Sequence, residues 1–177
     1  MGMNFVESLF RWLHVVAGIV WIGHLYFFNF VNGPFQTTID GDTKRKVNPE
    51  LLPRALFWFR WGAAFTWVTG VFLLLMVYYH GRQAFEGPEG NWNAGALVMI
   101  ALTFLGVFVY DIIYRSVLTA PAAGFWGGLA LSAAMVFAYD YVAGFGFRGY
   151  SIHLAGLFGS IMAYNVWFQI WPAQQQI

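Results

Sequence analysis

The sequence contains no cysteine in 177 residues. That absence excludes disulfides, thiolate metal sites, cysteine-held iron–sulfur clusters and covalent haem attachment through Cys-x-x-Cys-His on this chain. Charge is also scarce, with 10% of residues Asp, Glu, Lys or Arg against about 25% in a soluble domain. So few charges cannot cover a water-facing surface. A net charge of +1 without a long basic run offers no electrostatic footprint for nucleic acid. In their place stand hydrophobic residues at 59% and aromatic ones at 21%. Such an exterior suits a lipid bilayer, so the chain reads as an integral membrane protein.

Five apolar stretches recur along the chain, at about 5–31, 55–79, 94–114, 124–142 and 152–171. Each is long enough for a spanning helix of about 17–25 residues. The expectation is therefore all-α: an integral membrane bundle of five transmembrane helices forming a single domain over 1–177. The first stretch lacks a basic leader region and is too long for a cleavable signal. The polar connection Asn32–Arg54 reads as a solvated loop, closed by Pro49 and Pro53 just before the second helix. Gly144-Phe145-Gly146 reads as a turn. Positive charge in the connections, Lys44, Arg45, Lys46 and Arg54 on one side against Arg82 and Arg148 on the other, predicts a periplasmic N-terminus and a cytoplasmic C-terminus. The setting would be a bacterial inner membrane.

Ionisable residues inside lipid are costly and each needs a reason. Glu7 with Arg11, and Asp111 with Arg115, have the i,i+4 spacing of helical ion pairs. Arg60 enters the second helix between Trp58 and Trp61, where it would snorkel to the interface or meet Asp111. The Phe-rich runs read as packing and lipid-facing bulk. No phosphate loop, nucleophile elbow or HExxH motif is present.

The histidines carry more information. His14 lies in the first helix and His153 opens the fifth, and both helices run in the same direction. His14 is followed by Ala17 and Gly18, and His153 by Gly156 and Ser160. Small residues at helical spacing clear room over an imidazole. A planar macrocycle would use that room, with one imidazole ligating iron from each face. Arg11 and Arg148 fall on the same side as His14 and His153 and could pair with haem propionates. Close helix packing is the competing explanation for the small residues. His24, ten residues beyond His14, points off its face and is a weaker metal candidate. His80 reads as interfacial.

The run Arg11-Trp12-Leu13-His14-Val15-Val16-Ala17-Gly18-Ile19-Val20-Trp21-Ile22-Gly23 resembles the first helix of the membrane-bound urate oxidase N-terminal domain. Phe57-Trp58-Phe59-Arg60-Trp61 with Thr66-Trp67-Val68-Thr69-Gly70 is similar to that family's second helix. Val109-Tyr110-Asp111 with Arg115-Ser116 is similar to its third. Arg148-Gly149-Tyr150-Ser151-Ile152-His153 and Gly159–Val166 resemble its last matching segment. The His and Trp spacing of the first helix is more distantly like haem-binding membrane proteins of the protoporphyrinogen oxidase and copper-resistance types. The family resemblance implies a haem-associated redox bundle passing electrons to a cytochrome c, with His14 and His153 at matching positions. Three departures stand beside it: the connection Asn32–Arg54 is short and holds no histidine, His24 replaces a small polar residue, and no Cys-x-x-Cys-His is present. The expected function is a haem b-binding electron-transfer subunit of a larger respiratory or photosynthetic complex, with the bilayer, other membrane subunits and a cytochrome c as partners. A cofactor-free accessory subunit stabilising such a complex is the alternative. A complete urate oxidase in this chain alone is the least favoured reading.

Overall fold

The computed structural model describes residues 2–86 and 91–174, and these are almost entirely helical. Helix α1, Gly2–Tyr26, continues through a wider π-helical turn, Phe27–Asn32, into Gly33–Thr38. Helix α2, Gly41–Leu73, runs on through a second π-helical stretch, Leu74–His80. Helices α3, Ala94–Ser116, and α4, Pro121–Tyr141, follow. Helix α5, Phe147–Asn165, ends in a third π-helical turn, Val166–Ile170, and Trp171–Gln174. Among the described residues the only β-type pairing is an isolated bridge between Phe85 and Phe145.

Among the described residues, four helical runs are long and apolar enough to cross a membrane: Asn4–Thr38, Gly41–His80, Ala94–Ser116 and Pro121–Tyr141. The predicted fifth stretch is helical but is not among them. The reason lies in what α5 packs. Its buried positions are Gly149, His153, Leu157, Ser160, Ile161 and Ala163, so polar and small residues occupy the face that touches neighbours. Those residues, together with the exposed Arg148 and Ser151, lower its mean hydropathy.

The connection Asn32–Arg54 corrects the sequence reading, for it is not a loop. Only Ile39 and Asp40 separate two helical runs. Asp40 caps the second run: one carboxylate oxygen accepts from the backbone N–H groups of Asp42 and Thr43 at 2.8 and 2.9 Å, the other from the Thr43 hydroxyl at 2.9 Å. Bonding to the Thr43 N–H, and then to its hydroxyl, holds the Asp40 carboxyl below the usual carboxylate range. Gln36 and Asn48 exchange amide hydrogen bonds of 2.8 and 3.2 Å that tie the two runs together. Pro49 and Pro53 lie inside α2, where each removes one i→i−4 donor. The carbonyls so deprived belong to Arg45 and Pro49, both exposed, where water can satisfy them.

The chain divides into two compact units, Met1–Phe72 with Asn165–Ile177, and Leu73–Tyr164. In the first unit Trp21, Phe59, Ala63 and Val166 form the core. The helices approach closely at Gly62, where a Cβ would come within 3.0 Å of the Trp21 backbone nitrogen. Small residues allow such backbone proximity in apolar bundles. In the second unit the core gathers Ala84, Phe85, Ala96, Met99, Tyr139, Ala143 and Phe145, with Val107, Leu157 and Ile161 as a smaller cluster. The outer surface stays aromatic and aliphatic: Phe5 is 70% exposed, Trp12 62% and Trp126 66%. Such side chains belong against lipid rather than water.

Candidate functional site

His14 sits half-buried on α1 against one face of α2. Its Nδ1 lies 3.0 Å from the Thr66 carbonyl oxygen and 3.1 Å from Thr69 Oγ1. The carbonyl can only accept. The Thr69 hydroxyl has carbonyl acceptors of its own, Phe65 at 2.6 Å and Thr66 at 3.1 Å, which leaves its oxygen to accept. The imidazole therefore carries its proton on Nδ1. Nε2 keeps its lone pair and has no partner among the described residues. Gly70, one turn beyond Thr66, lets the ring approach: a Cβ there would lie 3.0 Å from His14 Cε1. Gly18 is looser, its nearest neighbour being the Thr66 methyl at 4.0 Å. An apolar cavity of about 650 Å³ opens beside this site, lined by Leu13, Val16, Ala17, Trp61, Phe65 and Thr69 among others.

His153 is fully buried in the second unit. Its Nδ1–H donates to the Gly149 carbonyl at 2.7 Å, so Nε2 accepts the Tyr79 hydroxyl at 3.0 Å. Phe145 stacks on the ring with centroids 4.3 Å apart, and Tyr79 and Tyr139 flank it at 5.6 Å. The turn after α4 delivers Phe145 there. Gly144 adopts a positive φ of 68°, its N–H bonds the Asp140 carbonyl at 2.9 Å, and the Phe145 N–H bonds the Tyr139 carbonyl at 3.1 Å. Gly149 is required by proximity, since a Cβ would collide with the Ala84 carbonyl oxygen. The space beside Gly156 holds the Thr103 methyl at 3.3 Å and Leu74 Cδ1 at 3.6 Å from where its Cβ would be. The Ser160 hydroxyl donates to the Gly156 carbonyl at 2.8 Å.

The remaining candidates are placed as follows. Arg11 is paired to Glu7 at 2.7 Å and exposed. Arg148 is exposed on the first turn of α5. Asp111 and Arg115 form the expected pair at 2.8 Å. His24 donates Nδ1–H to the Val20 carbonyl at 2.7 Å, which again leaves Nε2 as the acceptor. Within its unit the Arg60 guanidinium lies against the indoles of Trp171, at 4.0 Å, and Trp167, at 5.1 Å. Trp167 Nε1–H donates to the Arg60 carbonyl at 3.2 Å. Cation–π contact of this kind partly compensates a desolvated guanidinium. Among the described residues, no three His, Asp or Glu side chains converge as a metal-binding group.

Sequence reasoning named His14 and His153 but assigned no role to Thr66, Thr69, Gly70, Tyr79 or Phe145. The first three were legible as a Thr-x-x-Thr-Gly face on one helix. Tyr79 and Phe145 carried no such signal, because a fold must bring them to His153.

The profile of the urate oxidase N-terminal family matches residues 1–177. The chain belongs to the urate oxidase N-terminal family. No curated protein and no solved structure matches it. Membership in the urate oxidase N-terminal family suggests a membrane-type or redox-related role at most, and the long apolar helices are compatible with a membrane protein.

Proposed function

We propose that this urate oxidase N-terminal chain is a haem b-binding electron-transfer subunit of a larger redox complex, its five helices spanning a bacterial inner membrane with the N-terminus periplasmic. Other membrane subunits and a cytochrome c are its partners in this reading. The observation that carries it is the state of His14. Histidines that ligate metals commonly donate the other ring N–H to a carbonyl or carboxylate, which fixes the ring and its tautomer. His14 meets that requirement at Thr66, and its Nε2 has no hydrogen-bond partner among the described residues; its neighbours Leu13, Ala17 and Thr69 line an apolar cavity. The haem would supply reversible one-electron chemistry. His14 would hold the iron, Thr66 and Thr69 would fix the ring, and Gly18 would leave space. Arg11 and Arg148 would face the propionates, Arg11 after sharing its ion pair with Glu7. His153 completes the ligand set only if Tyr79 releases Nε2, and Gly156 contributes space only if Thr103 and Leu74 move aside.

The purified protein is expected to give a reduced-minus-oxidised b-type spectrum and a positive pyridine haemochrome assay. His14→Ala should abolish both while helicity is retained. A folded, colourless wild-type preparation would overturn the proposal.

A second reading has its own supporting observation. His153 is boxed by aromatic rings with both nitrogens hydrogen-bonded, as a purely structural histidine would be. Extended to the whole chain, this gives a cofactor-free accessory subunit. It predicts that His14→Ala leaves assembly and activity of the complex unchanged.

A further inference from the structure

A second cavity in the first unit, of about 500 Å³, is lined by His24, Gly23, Phe27, Arg54, Ala55 and Trp58 together with apolar neighbours. Its wall residues Ile19 and Trp58 are 67% and 57% exposed, so it opens where the apolar exterior meets the charged stretch ending at Arg54. Its polar groups have defined polarity. His24 has committed Nδ1–H to the Val20 carbonyl, so Nε2 offers a lone pair. Arg54 uses Nη1 on the Glu50 carbonyl at 3.0 Å and Nη2 on the Glu50 carboxylate at 2.9 Å, and retains its other N–H donors. The cavity lining thus includes an acceptor, on His24, and donors, on Arg54, together with the aromatic side chains of Phe27 and Trp58.

We propose that this cavity binds the headgroup of a membrane-dissolved hydroquinone, one hydroxyl donating to His24 Nε2 and the opposite oxygen accepting from Arg54. A planar ring suits aromatic walls, and a donor and an acceptor at opposite ends of one ring match the two polar groups. A phosphodiester headgroup does not match, because it has no proton to give to Nε2. The chemistry also accounts for a histidine at position 24, which the haem reading leaves without a task.

The test uses the full-length protein in detergent micelles under nitrogen, with duroquinol as the probe and its dimethyl ether as a near-isosteric control lacking the O–H donors. Equilibrium dialysis measures both. Duroquinol should bind about three- to tenfold more tightly than the ether, the worth of one hydrogen bond. His24→Phe should erase that preference. Gly23→Leu should weaken both compounds by filling the cavity, and it is expected to fold because a Cβ at Gly23 meets nothing within 4 Å. If His24→Phe does not fold, Gly23→Leu alone decides. Equal binding of the two compounds, a preference that survives His24→Phe, or binding indifferent to Gly23→Leu would each overturn the proposal. Binding is read without haem, so its failure is distinct from failure of the spectral test.

Discussion

Replacing Gly70 by alanine tests the His14 site from behind. The new Cβ would stand 3.0 Å from His14 Cε1 and 3.5 Å from Nδ1, the first well inside the roughly 3.5–4.0 Å optimum for carbon contacts. The ring cannot slide away freely, because Nδ1 is tied to Thr66 and Thr69 on the helix that carries Gly70. Two energies compete. Alanine is the better helix former by about 0.8–1.0 kcal/mol. Pushing the ring off its acceptors loses about 0.5–1.5 kcal/mol for a hydrogen bond, or about 1–3 kcal/mol if the N–H is left buried without a partner. Because the tied ring has no further acceptor to turn to, the unpartnered cost applies and exceeds the gain, so a net destabilisation of about 1 kcal/mol is expected. Gly18→Ala is the control. Its Cβ would meet only the Thr66 methyl at 4.0 Å, so propensity alone acts and a gain of about 0.5–1 kcal/mol follows. Unfolding by SDS in mixed micelles, followed by far-UV ellipticity, compares the two. Opposite signs are expected. A Gly70→Ala protein as stable as Gly18→Ala would refute the placement of the His14 ring.

Two further outcomes follow from the hydrogen bonds. Thr103 and Tyr139 are completely buried; the Thr103 hydroxyl donates to the Met99 carbonyl, so its oxygen receives the Tyr139 O–H at 2.8 Å. Thr103→Val should cost about 1–3 kcal/mol by orphaning that phenol, and adding Tyr139→Phe should recover part of the loss in the same micelle unfolding experiment. Asp40 has a folded-state value below its ordinary 3.8, so its cap contributes stability that is complete above the ordinary carboxylate range and fades as pH falls through the lowered value. Thermal melts of wild type should therefore lose stability on acidification more steeply than those of Asp40→Ala, and parallel profiles would contradict the cap.

The helices were legible because long apolar runs leave few alternatives in lipid. The error at Asn32–Arg54 has a specific cause. Pro49 and Pro53 signal a helix end in isolation, whereas the Asp40 cap and the Gln36–Asn48 pair that override them are visible only once the chain has folded. The fifth helix shows the converse: its apolar stretch was readable, but buried His153 and Ser160 and exposed Arg148 and Ser151 lower its hydropathy. At the sites, i,i+4 ion pairs were legible because they are local. The partners of His14 lie 52 and 55 positions away, and Tyr79 lies 74 positions from His153. Spacing within one helix cannot reach them. The indoles that flank Arg60 lie 107 and 111 positions further along the chain, beyond what spacing within its own helix shows.

The shared tautomer of His14, His24 and His153 has a consequence for ion traffic. An imidazole relays a proton through a membrane by taking it at one nitrogen and releasing it at the other. In each of these rings the δ nitrogen is tied to a helix carbonyl, so the exit side is blocked unless that bond breaks. Each ring is thus a dead end for Grotthuss transfer. A chain built this way offers no proton path through these three residues while those bonds hold.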